Sequence, residues 1–159
     1  MTTIAYKDGI LAFDSRITGG STIHGWMTKG ITTKTHIVAA AGAAQDIQAF
    51  FDWFEAGGLQ ADKTKFGLVD REVDIVALAV DKKGKVTIYE DRVYPTQIDS
   101  LFYAAGSGGD VALGALGAGA SAVEAVRIAA KFDSATGGPI RTLKLDDLPL
   151  TKNKRKKKN

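Results

Sequence analysis

A chain of 159 residues, 45% hydrophobic and 25% charged, has the make-up of one globular domain with a substantial core. The absence of cysteine excludes a disulfide scaffold, a thiolate metal site and a cysteine nucleophile, and two histidines exclude a three-histidine metal centre. The formal charge is +3, but six of the 21 basic residues lie in 151–159, so the body is net acidic and unsuited to nucleic-acid recognition; no apolar run nears the ~20 residues of a membrane span.

The first forty residues read as strands. Thr3–Lys7 and Ile10–Phe13 flank Asp8-Gly9, a pair that tolerates the positive φ of a tight hairpin. A turn at Thr18–Ser21 precedes an expected strand over Thr22–Met27, and His36–Ala41 is an apolar strand closed by Gly42. From Ala43 the period changes: Ala44, Ile47, Phe51 and Phe54 share one helical face, and Gly57-Gly58 ends the helix. On that reading Phe50 and Trp53 lie off the inward stripe and are candidates for contact with a second copy. The polar stretch 59–72 has no clear period and leaves the helical layer thin, with apolar surface uncovered.

Asp74–Val80 and Lys85–Tyr89 form a second hairpin about Asp81–Gly84, and Leu101–Ala105 is a strand ending in Gly106-Ser107-Gly108-Gly109. Val111, Leu113 and Leu116 suggest a short helix. Ser121 and Glu124 fit a capping box for another, with Val123, Val126 and Ala130 facing inward. Asp133–Gly138 is a turn and Ile140–Leu145 a last strand. The expected class is α+β, with antiparallel sheets and helices packed outside, over a single domain 1–150. The basic segment 151–159 is expected to be a disordered, self-repelling tail, of use for solubility or for touching nucleic acid or protein. The N-terminus lacks the apolar core of a signal peptide, so the expected location is cytoplasmic.

Chemistry concentrates at the N-terminus. Thr2 follows Met1 and is small enough for an aminopeptidase to remove Met1, which would leave a hydroxyl and a free α-amine on one residue. Such an amine has a pKa of about 7.7–8.0 and can serve as base for its own hydroxyl. His24 and His36 lie in strand-like segments and read as structural, and the glycine-rich turn at 106–109 is weak evidence for a phosphate loop.

Five blocks in order resemble the proteasome β subunit and bacterial HslV-type peptidases: Thr2–Tyr6 with Ala12-Phe13-Asp14-Ser15-Arg16-Ile17-Thr18; the strand about Lys29; His36–Gly42; Ala104–Gly109; and Phe132–Gly138. The resemblance spans roughly residues 2–145 and implies an N-terminal-nucleophile hydrolase fold, a four-layer α/β/β/α sandwich of two antiparallel sheets. It implies Thr2 as nucleophile, Asp14 and Lys29 beside it, and Gly42 as oxyanion donor. Ser107, Asp133 and Thr136 would surround the Thr2 amine, with Thr136 standing where the family carries Ser. A register shifted by one residue would put Thr28 in place of Lys29. Ile17, Met27, Ala40 and Ala44 fall where the family lines its first substrate pocket, and their character suits an apolar side chain before the scissile bond.

The implied reaction is peptide-bond cleavage with no metal or organic cofactor, in a homo-oligomeric ring served by a separate unfolding ATPase. The residues leave two other readings open: a proteasome-like subunit that assembles without turnover, and an amidase acting on a small molecule.

Overall fold

The computed structural model describes residues 1–69 and 71–150. The expected tail, 151–159, lies outside the described residues. Eleven strands and three helices alternate along the described chain. Strands β1 (Thr3–Lys7), β2 (Ile10–Phe13), β10 (Phe102–Gly106) and β11 (Arg141–Lys144) make a four-stranded sheet in the order β10-β1-β2-β11. Strands β5 (Gly30–Thr32), β6 (His36–Gly42), β7 (Ile75–Asp81), β8 (Val86–Glu90) and β9 (Tyr94–Ile98) make a five-stranded sheet in sequence order. Every pairing is antiparallel. A separate ribbon joins β3 (Arg16–Gly19) to β4 (Thr22–Trp26), with a bulge at Ile17/Thr18.

Period-two alternation decides which residues fill which layer. Ile4, Tyr6, Leu11 and Phe13 point from the four-stranded sheet into a core shared with Ile37, Ala39, Ala41, Leu78 and Val80 of the five-stranded sheet. Their neighbours point the other way. Ala5, Ala12 and Ala104 meet helices α2 (Gly109–Gly117) and α3 (Ala122–Phe132) through Ala112, Leu116, Ala125, Val126 and Ala129. Val38, Ala40, Ala77 and Ala79 meet α1 (Ala44–Glu55). The result is the four-layer α/β/β/α sandwich that the sequence led us to expect. Among the described residues no helix is long and apolar enough to cross a membrane.

The capping box at α3 is complete: the Ser121 hydroxyl accepts from the Glu124 amide at 3.2 Å, and the Glu124 carboxylate accepts from the Ser121 amide at 3.3 Å. The inward face of α3 is carried by Ala122, Ala125, Val126 and Ala129, while Val123 and Ala130 are half-buried.

Two expectations about α1 are corrected. Phe50 and Trp53 are each 0% exposed, so neither is free to meet a second copy. Nor is the layer uncovered over 59–72. Two short 3-10 turns, Gly58–Gln60 and Lys63–Phe66, fold back on α1, and Leu68, Val73 and Val93 complete its shell. The Trp53 indole N–H donates to the Ala61 carbonyl at 3.3 Å. The helix is thus apolar over more than one stripe because it is covered from two sides, by the sheet and by the returning chain. Strand β9 was not anticipated; it is an edge strand with a Pro95 interruption and an exposed Tyr94.

Candidate active site

Three buried side chains meet at the head of β1. Thr2 precedes the strand, Asp14 follows β2, and Lys29 precedes β5; they are 1%, 0% and 2% exposed. The hairpin brings Asp14 beside Thr3, whose amide donates to Asp14 Oδ1 at 3.1 Å. Two further amides, of Arg16 at 3.3 Å and Gly137 at 2.9 Å, donate to Asp14 Oδ2. Three backbone donors thus hold the buried carboxylate in place. Lys29 completes the neutralisation, its Nζ 3.5 Å from Asp14 Oδ1. The same Nζ donates to the Arg16 carbonyl at 2.5 Å and to the hydroxyl of Thr2.

Lys29 is fixed from both sides. Its carbonyl accepts from the Ala40 amide at 3.0 Å, which ties it to β6. Next to it Gly30 lies against the Phe13 ring, in the space a side chain would need. Thr28 is exposed, so the register with Lys29 is the one that reaches Thr2. Burial draws the Lys29 ammonium below its ordinary pKa; the Asp14 charge and hydrogen bond restore part of the loss, and the nearby Arg16 charge adds to it.

A second cluster adjoins through Thr3. Ser107 donates to Asp133 Oδ2 at 2.5 Å and Thr136 donates to the same oxygen at 2.6 Å. Thr136 has one hydroxyl proton and gives it to Asp133, so the 2.7 Å contact between Thr3 Oγ1 and Thr136 Oγ1 is a donation from Thr3. Burial pushes the Asp133 carboxyl up, but bonds from Ser107 and Thr136, the Ala135 amide and the N-terminal charge outweigh it and bring the carboxyl below its ordinary pKa.

No protein-family model matches the sequence, and no curated protein is significantly similar to it. Its structure is similar to that of BPH from Thiobacillus denitrificans, solved in complex with epoxomicin and alone. Each alignment has 21% identity, a TM-score of 0.67 and 91% of this chain covered; they cover 98% and 97% of the BPH chains. It is also similar to eukaryotic HslV from Trypanosoma brucei, with 18% identity, a TM-score of 0.66, and 89% of this chain and 99% of that chain covered.

The chain has the HslV fold.

Within this HslV-type sandwich the remaining candidate residues are spread around the two clusters. Gly42 ends β6 with φ 135°, and a Cβ there would run into the Asp74 carbonyl. Close backbone approach therefore requires the glycine. Ala40 is fully buried against α1, with Met27 packed on the same cluster; Ile17 is half-buried and Ala44 exposed.

Sequence reading missed Thr3, which joins the clusters by its amide and its hydroxyl. Nothing local marks it: Gly108, which makes room for Thr3 Oγ1 where a Cβ would otherwise stand, lies far along the chain. It also missed Asp46. This α1 carboxylate is 2% exposed; it accepts from Arg71 Nη2 at 2.5 Å and from the Asp74 amide at 2.8 Å. The Arg71 hydrogen bond pulls its pKa down; burial opposes this, while the Asp74 amide and the Arg71 charge reinforce it. A lone acid in the first turn of a helix reads as exposed and favourable to the helix dipole, and nothing local marks it as buried.

Proposed function

We propose that this protein is a threonine-type peptidase that acts through Thr2 once Met1 is removed. The observation that carries the reading is the Lys29 ammonium, buried, paired with Asp14 and donating to the Thr2 hydroxyl. With Met1 attached, the Thr2 nitrogen is an amide and has no basicity to offer. Once Met1 is cleaved it is an amine that titrates near neutrality.

The amine takes the Thr2 hydroxyl proton as Oγ1 attacks the substrate carbonyl carbon. Lys29 favours the developing negative oxygen by charge and hydrogen bond. Collapse of the tetrahedral intermediate breaks the C–N bond, and the amine returns its proton to the leaving nitrogen. Water then attacks the ester and frees Thr2. The Gly42 amide is placed in this reading as the oxyanion donor, and Ser107, Asp133 and Thr136 as the polar surround of the Thr2 amine. Ile17, Met27 and Ala44 are placed in this reading around the first substrate pocket, which Ala40, fully buried against α1, does not line; their character favours cleavage after an apolar residue.

The likeness to HslV extends the proposal to a ring of identical subunits fed by a separate unfolding ATPase. Sedimentation of the purified protein tests the ring; a monomer at micromolar concentration rules it out.

The chemistry is tested by intact mass and by epoxomicin, the ligand of the BPH complex. Protein lacking Met1 should gain one inhibitor mass at Thr2, and Thr2→Ala should gain none and lose peptide hydrolysis. Retention of Met1, or equal turnover by wild type and Thr2→Ala, overturns the reading and leaves a subunit that assembles without catalysis.

A further inference from the structure

The segment that leaves β6 is held by a closed circuit of hydrogen bonds. The Ala43 amide donates to the Asp74 carbonyl at 3.0 Å, and the Asp74 amide donates to Asp46 Oδ2 at 2.8 Å. The Asp46 amide donates to the Ala43 carbonyl at 3.0 Å and closes the loop. Ala43 is thereby fixed at both its N–H and its C=O, directly after Gly42. The Asp74 carbonyl in this circuit is the atom against which Gly42 packs. Arg71, 2.5 Å from Asp46 Oδ1, neutralises the buried charge, so the carboxylate can keep both oxygens engaged.

No side chain caps the start of α1, since Ala43 occupies that position. The placement of the Gly42–Ala43 turn rests on Asp46 instead, through a partner 28 residues away in sequence. We infer that Asp46 is a positioning residue for the Gly42 peptide: with Asp74 and Arg71 it sets the direction of the backbone donor that meets the developing oxyanion. This inference rests on the Thr2 peptidase reading. Asp46 touches neither Thr2 nor Lys29, so its effect is confined to steps that place negative charge on the substrate oxygen.

Two covalent probes separate that effect from loss of the nucleophile. A peptide aldehyde forms a hemiacetal with Thr2 and needs the oxyanion donor. A peptide vinyl sulfone of the same sequence is attacked at carbon and places no charge on a carbonyl oxygen. Both are to be applied to protein lacking Met1, with folding followed by circular dichroism. Asp46→Ala should weaken aldehyde inhibition at least tenfold, roughly the lower end of the loss when an oxyanion donor is removed, and leave the vinyl sulfone rate at Thr2 unchanged. Arg71→Met, which leaves the Asp46–Asp74 bond in place, should shift the aldehyde in the same direction by less. If Asp46→Ala does not fold, Asp46→Leu, which removes the acceptor for the Asp74 amide and keeps the buried volume, is read by the same criterion. Equal loss with both probes, or no loss with either, overturns the assignment of Asp46 alone. Wild-type protein that reacts with neither probe overturns the Thr2 reading and this inference with it.

Discussion

Replacing Lys29 with Met removes the ammonium and keeps most of the side-chain volume, so it tests the charge with little change in packing. Breaking a buried ion pair from one side costs about 3–5 kcal/mol, because the surviving charge is left without its partner. Here the survivor is Asp14, which still accepts from the amides of Thr3, Arg16 and Gly137. The substitution also lifts the desolvation cost of Lys29 itself. Both point to the low end, about 3 kcal/mol, or roughly 6–12 °C in Tm for a chain of this size.

Turnover should fall by about 10²–10⁴, the usual contribution of a positioned proton-transfer or charge-stabilising group. The pH profile of stability carries a further signature. A lowered Lys29 pKa means that the folded chain holds fewer protons than the unfolded chain between that value and 10.5, so wild-type stability rises with pH across this window. The variant should lack that rise. Urea denaturation from pH 7 upward and hydrolysis of an apolar peptide substrate read the three effects. A variant that unfolds with the wild type and retains full turnover refutes the reasoning.

Trp53→Ala should cost about 3–5 kcal/mol by urea denaturation and leave the sedimentation of the folded fraction unchanged, since the indole is buried within the subunit. Thr3→Val removes the donor to Thr136 and should cost about 1–3 kcal/mol, with Thr3→Ser restoring both stability and turnover. Asp46 and Asp133 both have lowered pKa values. The stability they contribute is complete above the ordinary carboxylate value of 3.8 and is lost as the pH falls through their folded values. The difference in unfolding midpoint between wild type and Asp46→Asn should therefore shrink in acid.

Much of the architecture was legible because the code for it is local. Asp8-Gly9 sets the first hairpin, and alternation along Ile4-Ala5-Tyr6 and Leu11-Ala12-Phe13 assigns each side chain to a layer. The Thr2, Asp14 and Lys29 grouping was legible only as a set of spaced blocks, since no single block is distinctive. What escaped depends on distant chain. Trp53 and Phe50 looked surplus on an isolated helix, because Ala61, Phe66, Leu68 and Val73, which pack with them, come from a stretch with no period of its own. Asp46 carries no local signal because Arg71 and Asp74, its partners, come from the same irregular stretch. Strand β9 escaped because its proline is tolerated only at a sheet edge, and edge position is a property of the assembled sheet.

The two outer layers differ in kind. On the α2–α3 side the contact surface is mostly alanine: Ala5, Ala12, Ala104, Ala112, Ala122, Ala125 and Ala129. Alanine has no rotamers to exchange, so backbone meets backbone at short range and the layer can shift only as a rigid slab. On the α1 side Phe50, Phe51, Trp53 and Tyr89 carry the contact, with ring centroids 5.2 Å apart for Phe50 and Tyr89. Rings can tilt and repack around an altered neighbour. A change in volume is therefore absorbed on the aromatic side and transmitted on the alanine side, where one added methyl group displaces a whole helix relative to β1, the strand that follows Thr2.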